Sequence, residues 1–150
     1  MLVELDNEQD CADFVRLNHL WIEEHFSLEE ADRRLAADPY SIVREGGHIF
    51  SLKKDGRIVG VCALFRESQN RFELARMAVE PTERGNGYGD VLIRAAISKA
   101  RQRDATTLRL LSNTVLEPAI ALYRKHGFRT VTEGPHRLYA RCNIVMELRL

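Results

Sequence analysis

Six residues, Arg84-Gly85-Asn86-Gly87-Tyr88-Gly89, carry the most specific chemical signal in the chain. Glycines packed this densely let backbone N–H groups converge on an anion with no Cβ atoms in the way. They follow an apolar, strand-like run, Leu74 to Val79, that stops at Pro81, and they precede a helical pattern from Asp90 to Arg103. A helix starting there adds its unpaired N-terminal N–H groups and roughly half a positive charge. The combination suits a phosphate or pyrophosphate; a plain tight turn is the alternative that the glycines alone allow. Two familiar phosphate loops are excluded. Asp90 stands where the dinucleotide fingerprint G-x-G-x-x-G/A needs a small residue, and no Gly-Lys-Ser/Thr triplet completes a P-loop.

The elements around this loop follow from period and punctuation. Val3 to Leu5 reads as a short strand, and Asn7 and Asp10 can cap a helix running to about His19. An aromatic and acidic stretch, His19 to Phe26, then connects to a second helix. Ser27 with Glu30 forms a capping box for that helix, and Pro39 ends it. Trp21 and Phe26 are either packing residues between two helices or, with Glu24 and His25, part of a pocket wall. From His48 the period becomes two. Ile49 to Lys53 and Arg57 to Phe65 form a hairpin about Lys54-Asp55-Gly56, and Gln69-Asn70 turns into Phe72 to Val79, giving an antiparallel meander. The helix after the loop sets Leu92, Ile93, Ala96, Ile97 and Ala100 inward. Thr107 to Leu111, reached by that helical crossover, is expected to lie parallel to Leu74–Val79. Pro118 opens a last helix, with Ala119, Leu122, Tyr123 and His126 on one face, and Gly127 stops it. Phe128 to Thr132 and Ile144 to Leu148 supply two final strands.

Composition narrows the class. The chain has 150 residues, 45% hydrophobic and 29% charged, which suits one mixed α/β domain over residues 1–150. A net charge of +0 offers no basic field for nucleic acid, and no apolar run is long enough to span a bilayer. The acidic start does not resemble a signal segment. Three scattered cysteines without C-x-x-C spacing point to reduced thiols and a cytoplasmic protein. The five histidines show no metal-ligand spacing, so no metal is expected.

The glycine run resembles motif A of the GCN5-related N-acetyltransferase (GNAT) family, Arg/Gln-x-x-Gly-x-Gly/Ala. Downstream, Leu108 to Asn113 followed by Pro118-Ala-Ile-Ala-Leu-Tyr-Arg-Lys-His-Gly-Phe128 is similar to that family's motif B. Leu17 to Ile22 and Ala140 to Leu148 resemble the ends of one subgroup. The resemblance implies a mostly antiparallel sheet of six to seven strands, flanked by about four helices, with splayed parallel central strands. It also implies acetyl-CoA as cosubstrate and direct transfer of its acetyl group to an amine of a small molecule or peptide. Homodimers occur in the family. The backbone of Met77, Ala78 and Val79 would pair with the pantetheine arm as an added strand. Arg84, Gly85, Asn86, Gly87 and Gly89 would surround the pyrophosphate, with Tyr88 beneath, and Lys125 would reach the nucleotide phosphate.

The chemistry needs a base for the ammonium proton, a donor at the carbonyl oxygen and a hydrogen bond to the leaving sulfur. Glu73, a carboxylate in an apolar strand, is the candidate base, or alternatively a partner for Arg76. A bulge near Ala75–Ala78 decides which way it turns. Tyr123 is the candidate donor to sulfur, the alternative being a core tyrosine. Asn113 would bind pantetheine or order a water, or simply cap a turn. Trp21, Glu24, His25 and Phe26 are the candidate acceptor pocket. A non-catalytic acyl-CoA-binding regulator is the other reading, and it would need the glycine loop but neither Glu73 nor Tyr123.

Overall fold

The structure is a computed structural model and describes residues 1–136 and 139–150. Its frame is a seven-stranded sheet. The first four strands are β1 (Leu2–Leu5), β2 (His48–Lys54), β3 (Arg57–Ser68) and β4 (Arg71–Val79), and they pair antiparallel in chain order. Asp55 and Gly56, at φ 53° and 77°, close the β2–β3 hairpin with both central residues left-handed, the twist-matched tight turn. β5 (Thr107–Ser112) then runs parallel to β4. β7 (Ile144–Arg149) lies between β5 and the edge strand β6 (Arg129–Glu133).

Helices cover both faces. α1 (Cys11–His25), α2 (Glu30–Ala37) and the short α3 (Ser41–Arg44) precede the meander, while α4 (Tyr88–Gln102) and α5 (Glu117–Lys125) flank β5. β3 shows why its sequence is a continuous apolar run. Val61 and Ala63 face the cluster under α1 with Phe14, Leu17, Ile42 and Ile49. Cys62 and Leu64 face the larger cluster under α4 with Phe50, Phe72, Leu92, Ile93 and Leu108. A strand buried on both faces loses its polar alternation. The absence of polar residues therefore marks a central strand.

Two expectations need correction. α1 does not end near His19. Its buried stripe of Phe14, Leu17, Asn18 and Ile22 continues at helical spacing with no breaker, so the expected connector is the last turns of the helix. The capping box of α2 is Glu29 with Asp32, not Ser27 with Glu30. The Glu29 N–H donates to Asp32 Oδ2 at 2.8 Å, and Asp32 is fixed there by arginines from distant segments. The expectation of a mostly antiparallel sheet flanked by about four helices is met: among the described residues four α-helices of eight residues or more flank it, with α3 as one additional short turn.

Candidate active site

The cleft exists because β4 and β5 part. They pair only from Arg71–Thr107 to Glu73–Arg109. Beyond Glu73, β4 has no ladder partner on that side, so its edge groups face open space. A cavity of about 270 Å³ fills the gap, lined by both strands, α1, α5 and the segment before β7. The expected bulge is present: Val61 lies opposite Ala78 and Ala63 opposite Ala75, leaving Arg76 at φ 60°. A non-glycine residue in the left-handed region carries about 1–2 kcal/mol of strain. Such strain persists only where neighbours over-determine it.

Those neighbours are charged. Arg76 Nη1 donates to Asp32 Oδ1 at 2.6 Å and Nη2 to the Tyr139 hydroxyl at 2.8 Å. Arg141 grips the same carboxylate with two bonds of 2.7 Å and reaches Glu29 at 3.2 Å. Both guanidinium groups lie against the Tyr139 ring, at 5.5 and 4.6 Å. Burial alone would raise the fully buried Asp32. The bonds from Arg141, from the Glu29 N–H and from Arg76 outweigh it and bring the carboxyl to about 2. Composition and local pattern do not reveal this cluster. An arginine in the apolar run Leu74–Val79 and another near the C-terminus are its only traces.

Glu73 lines the cavity, half-buried, with no hydrogen bond or ion pair among the described residues. Desolvation, helped by Glu67, pushes its carboxyl up to about 7 against the opposing pull of Arg109 and Arg76. Arg76 spends its bonds on Asp32 and Tyr139 rather than on Glu73. Tyr123 reaches the same cavity from α5. Its ring sits edge-on to Phe128 at 6.0 Å, and burial raises the phenol to about 12. Asn113 also lines the space, but its amide works locally, donating to the Arg141 carbonyl at 2.7 Å and accepting from the Val115 N–H at 3.0 Å. Of the candidate acceptor residues, Trp21 and Phe26 line the cavity. His25 packs on Trp21 with ring centroids 5.2 Å apart, and Glu24 turns away to the loop.

In the loop, Gly85 and Gly87 stand at φ 84° and 77°, and a Cβ at either would meet nothing within 4 Å. Backbone conformation requires glycine there, and the space above it is open, as a diphosphate cradle needs. Gly89 differs: a Cβ would come within 3.3 Å of the Leu122 side chain, so this glycine lets α4 approach α5. Tyr88 is buried beneath, in the main core cluster, and the Asn86 amide ties the loop to the Glu83 carbonyl at 2.9 Å. Gly87 caps α4, whose first turn points its N–H groups at the loop. Arg84 makes a two-pronged bond of 2.8 and 2.7 Å to Glu24. Lys125 contacts Asp90 at 3.3 Å, beside the 2.7 Å bond from His126 to the same carboxylate. Met77 lines the cavity, Ala78 is buried toward α1 and Val79 packs on the main cluster.

Among the described residues no group of three or more His, Cys, Asp or Glu side chains is placed to hold a metal, and no helix is long and apolar enough to cross a membrane. The chain is 37% identical to streptothricin acetyltransferase of Streptomyces lavendulae over 97 residues, covering 57% of this chain and 51% of that protein. It is 31% identical to IAA acetyltransferase of Azospirillum brasilense over 126 residues, covering 75% and 79%. It thus spans about half the length of one of these curated relatives and most of the other. The structure of yncA from Salmonella typhimurium with its cofactor acetyl-CoA superposes with a TM-score of 0.79 at 20% identity, over 100% of this chain and 94% of that one. The model of the acetyltransferase (GNAT) family matches residues 12–128. With motif, splayed strands and loop in agreement, the chain belongs to the GNAT family of acetyltransferases, whose cosubstrate is acetyl-CoA.

Proposed function

We propose that residues 1–150 act as one N-acetyltransferase domain that moves the acetyl group of acetyl-CoA to a primary amine by direct attack in a ternary complex. The observation that carries this reading is the meeting, in one cavity, of an unpaired carboxylate held near 7 and a phenol kept protonated. The pantetheine arm runs along the open edge of β4 at Met77–Val79. The pyrophosphate sits over Gly85–Gly87 at the start of α4. The fit rests on the unpaired edge and the open space above those glycines.

The amine nitrogen forms its bond to the acetyl carbon, the carbon–sulfur bond breaks, and Glu73 takes the proton that the nitrogen loses. A carboxylate near 7 is present in both forms at neutral pH, the condition for general-base work. An N–H of the bulged strand faces the carbonyl oxygen as charge builds on it. Tyr123 is better suited to donate a hydrogen bond than to give up its proton. At about 12 its phenol is a weaker acid than an ordinary thiol near 8.5, so complete transfer to the thiolate runs uphill by about 5 kcal/mol. The test is an amine panel with acetyl-CoA, read by release of free thiol from wild type and Glu73→Gln. Release that requires an amine and falls in the variant supports the reading; equal rates in both would sink the base assignment.

A further inference from the structure

The acceptor itself is addressed by the charged wall of the cavity. A guanidinium has five N–H donors. The bonds among the described residues engage two of them on Arg76, to Asp32 and Tyr139, and three on Arg141, to Asp32 twice and Glu29 once. Two cationic groups share one fully buried carboxylate, Asp32, and the second, Glu29, is a quarter exposed, bonds Arg141 but not Arg76, and also accepts from the Ala140 N–H at 3.0 Å. Both arginines line the cavity, and three residues before Arg76 on β4 the unpaired Glu73 lines it too. Trp21, Phe26 and Phe65 are among its apolar lining. The cavity therefore offers a base, a wall of two guanidinium groups anchored by Asp32 and Glu29 that keep N–H donors to spare, and an aromatic slot within one space.

We infer that the acceptor is an amino-acid-like zwitterion, a monoamine whose own carboxylate docks on Arg76 and Arg141. Its nitrogen then faces Glu73, and its aromatic or long apolar side chain lies among Trp21, Phe26 and Phe65. The inference rests on the N-acetyltransferase reading and narrows it. The planar fork of arginine suits a carboxylate. Polyamines and other polycations bring a second positive charge toward the same two guanidinium groups, and that juxtaposition disfavours them.

The experiment compares L-phenylalanine, L-phenylalaninamide, phenethylamine and spermidine as acceptors, with the full chain saturated in acetyl-CoA and thiol release followed. Binding of the same four to the chain loaded with coenzyme A is measured by titration calorimetry. A charge-assisted contact is worth about ten- to a hundredfold in kcat/KM, so L-phenylalanine should lead phenethylamine by that ratio, with spermidine slowest. Arg76→Gly removes the guanidinium while accepting the left-handed backbone without strain, and the ratio should shrink toward one. Phenethylamine or spermidine performing as well as L-phenylalanine, failure of L-phenylalanine to bind at all, or an undiminished ratio in Arg76→Gly each overturns the inference. Release from other amines of the wider panel with none from L-phenylalanine overturns this inference alone, whereas release from no amine of the whole panel overturns the acetyltransferase reading, so the two failures are distinguishable.

Discussion

The two sides of the cleft are built by opposite means. In the proposed reaction the donor side is backbone: Gly85 and Gly87 at positive φ, the first turn of α4 and the unpaired edge of β4, all within one stretch of chain. The acceptor side we propose is side chain, gathered from far apart. Arg141 meets Glu29 and Asp32 across sequence separations of 112 and 109 residues, and Arg76 meets Asp32 across 44. Backbone amides present the same surface whatever the neighbouring side chains, which suits a diphosphate of fixed shape. A charged side-chain cluster can be re-specified by single substitutions, which suits an acceptor. Disturbing each side separately tests the division, because each disturbance should leave the other side's ligand alone.

The largest effect is expected where the sides meet, at Glu73. Glu73→Gln should lower kcat/KM by about a hundred- to ten-thousandfold and remove the acidic limb near pH 7, with acetyl-CoA affinity within about twofold. Stability should move the other way. The folded carboxyl titrates near 7 and its ordinary value is 4.5, so the folded chain holds a proton that the unfolded chain has lost between those values. Wild-type stability therefore falls as pH rises from about 4.5 through 7. Above pH 7 the variant should gain about 3 kcal/mol by chemical denaturation. A variant that is slower but no more stable at pH 8 would break the desolvation account of Glu73.

Asp32→Asn comes next, and it strikes the acceptor side alone. Removing the shared carboxylate leaves two partly buried guanidinium groups under-compensated, at a cost of about 3–5 kcal/mol, which lowers the melting temperature by roughly 10 °C. Asp32 titrates near 2 when folded against 3.8 ordinarily, so its contribution is present above about pH 4 and lost as pH falls through 2. The gap between wild type and variant should close over that range, while acetyl-CoA affinity at pH 7 stays within about twofold. A large loss of affinity would mean that the two sides are one mechanical unit.

These two variants also separate what was legible in the residues from what was not. The meander, the crossover helix and the glycine cradle are written in short-range pattern, because period-two runs, glycine at positive φ and helix punctuation act within a few residues. The bulge at Arg76 and the placement of Glu73 and Tyr123 came from resemblance in motif order. The Asp32 cluster follows from neither. Asp32 reads as one more acidic residue on a polar helix, and only the packing of α2 against the segment before β7 turns it into the anchor of a wall. The misread capping box has the same cause: Asp32 is held by Arg76 and Arg141, and Glu29 becomes the cap in consequence. Long-range charge pairing leaves no periodic trace.

Gly87→Val is the donor-side counterpart. A β-branched residue at φ 77° is strained, and its side chain projects into the open space that the proposed reading gives to the pyrophosphate. Acetyl-CoA affinity should drop by about a hundredfold by titration calorimetry, with a melting shift of only a few degrees. Tyr123→Phe should be milder, about tenfold in kcat with affinity preserved, because in the proposed role the hydroxyl would contribute one hydrogen bond to sulfur. A hundredfold fall in kcat would instead require full proton transfer, which a phenol near 12 makes unfavourable.

The smallest expected effect concerns the bridge between the sides. Glu24 of α1 holds Arg84 of the loop through two bonds of 2.8 and 2.7 Å, with both side chains more than a third exposed. An exposed pair of this kind is worth about 0.2–1 kcal/mol. If Arg84 also serves the pyrophosphate, Glu24 competes with the diphosphate for the same guanidinium. Glu24→Gln should then tighten acetyl-CoA binding, by less than about fivefold, and the gain should shrink as salt screens the pair. If the pair instead holds the loop in its binding shape, the same substitution should weaken binding by a similar factor. The sign of a small change thus decides whether α1 restrains the donor side or supports it. Only restraint makes Arg84 a residue that changes partner when the diphosphate arrives.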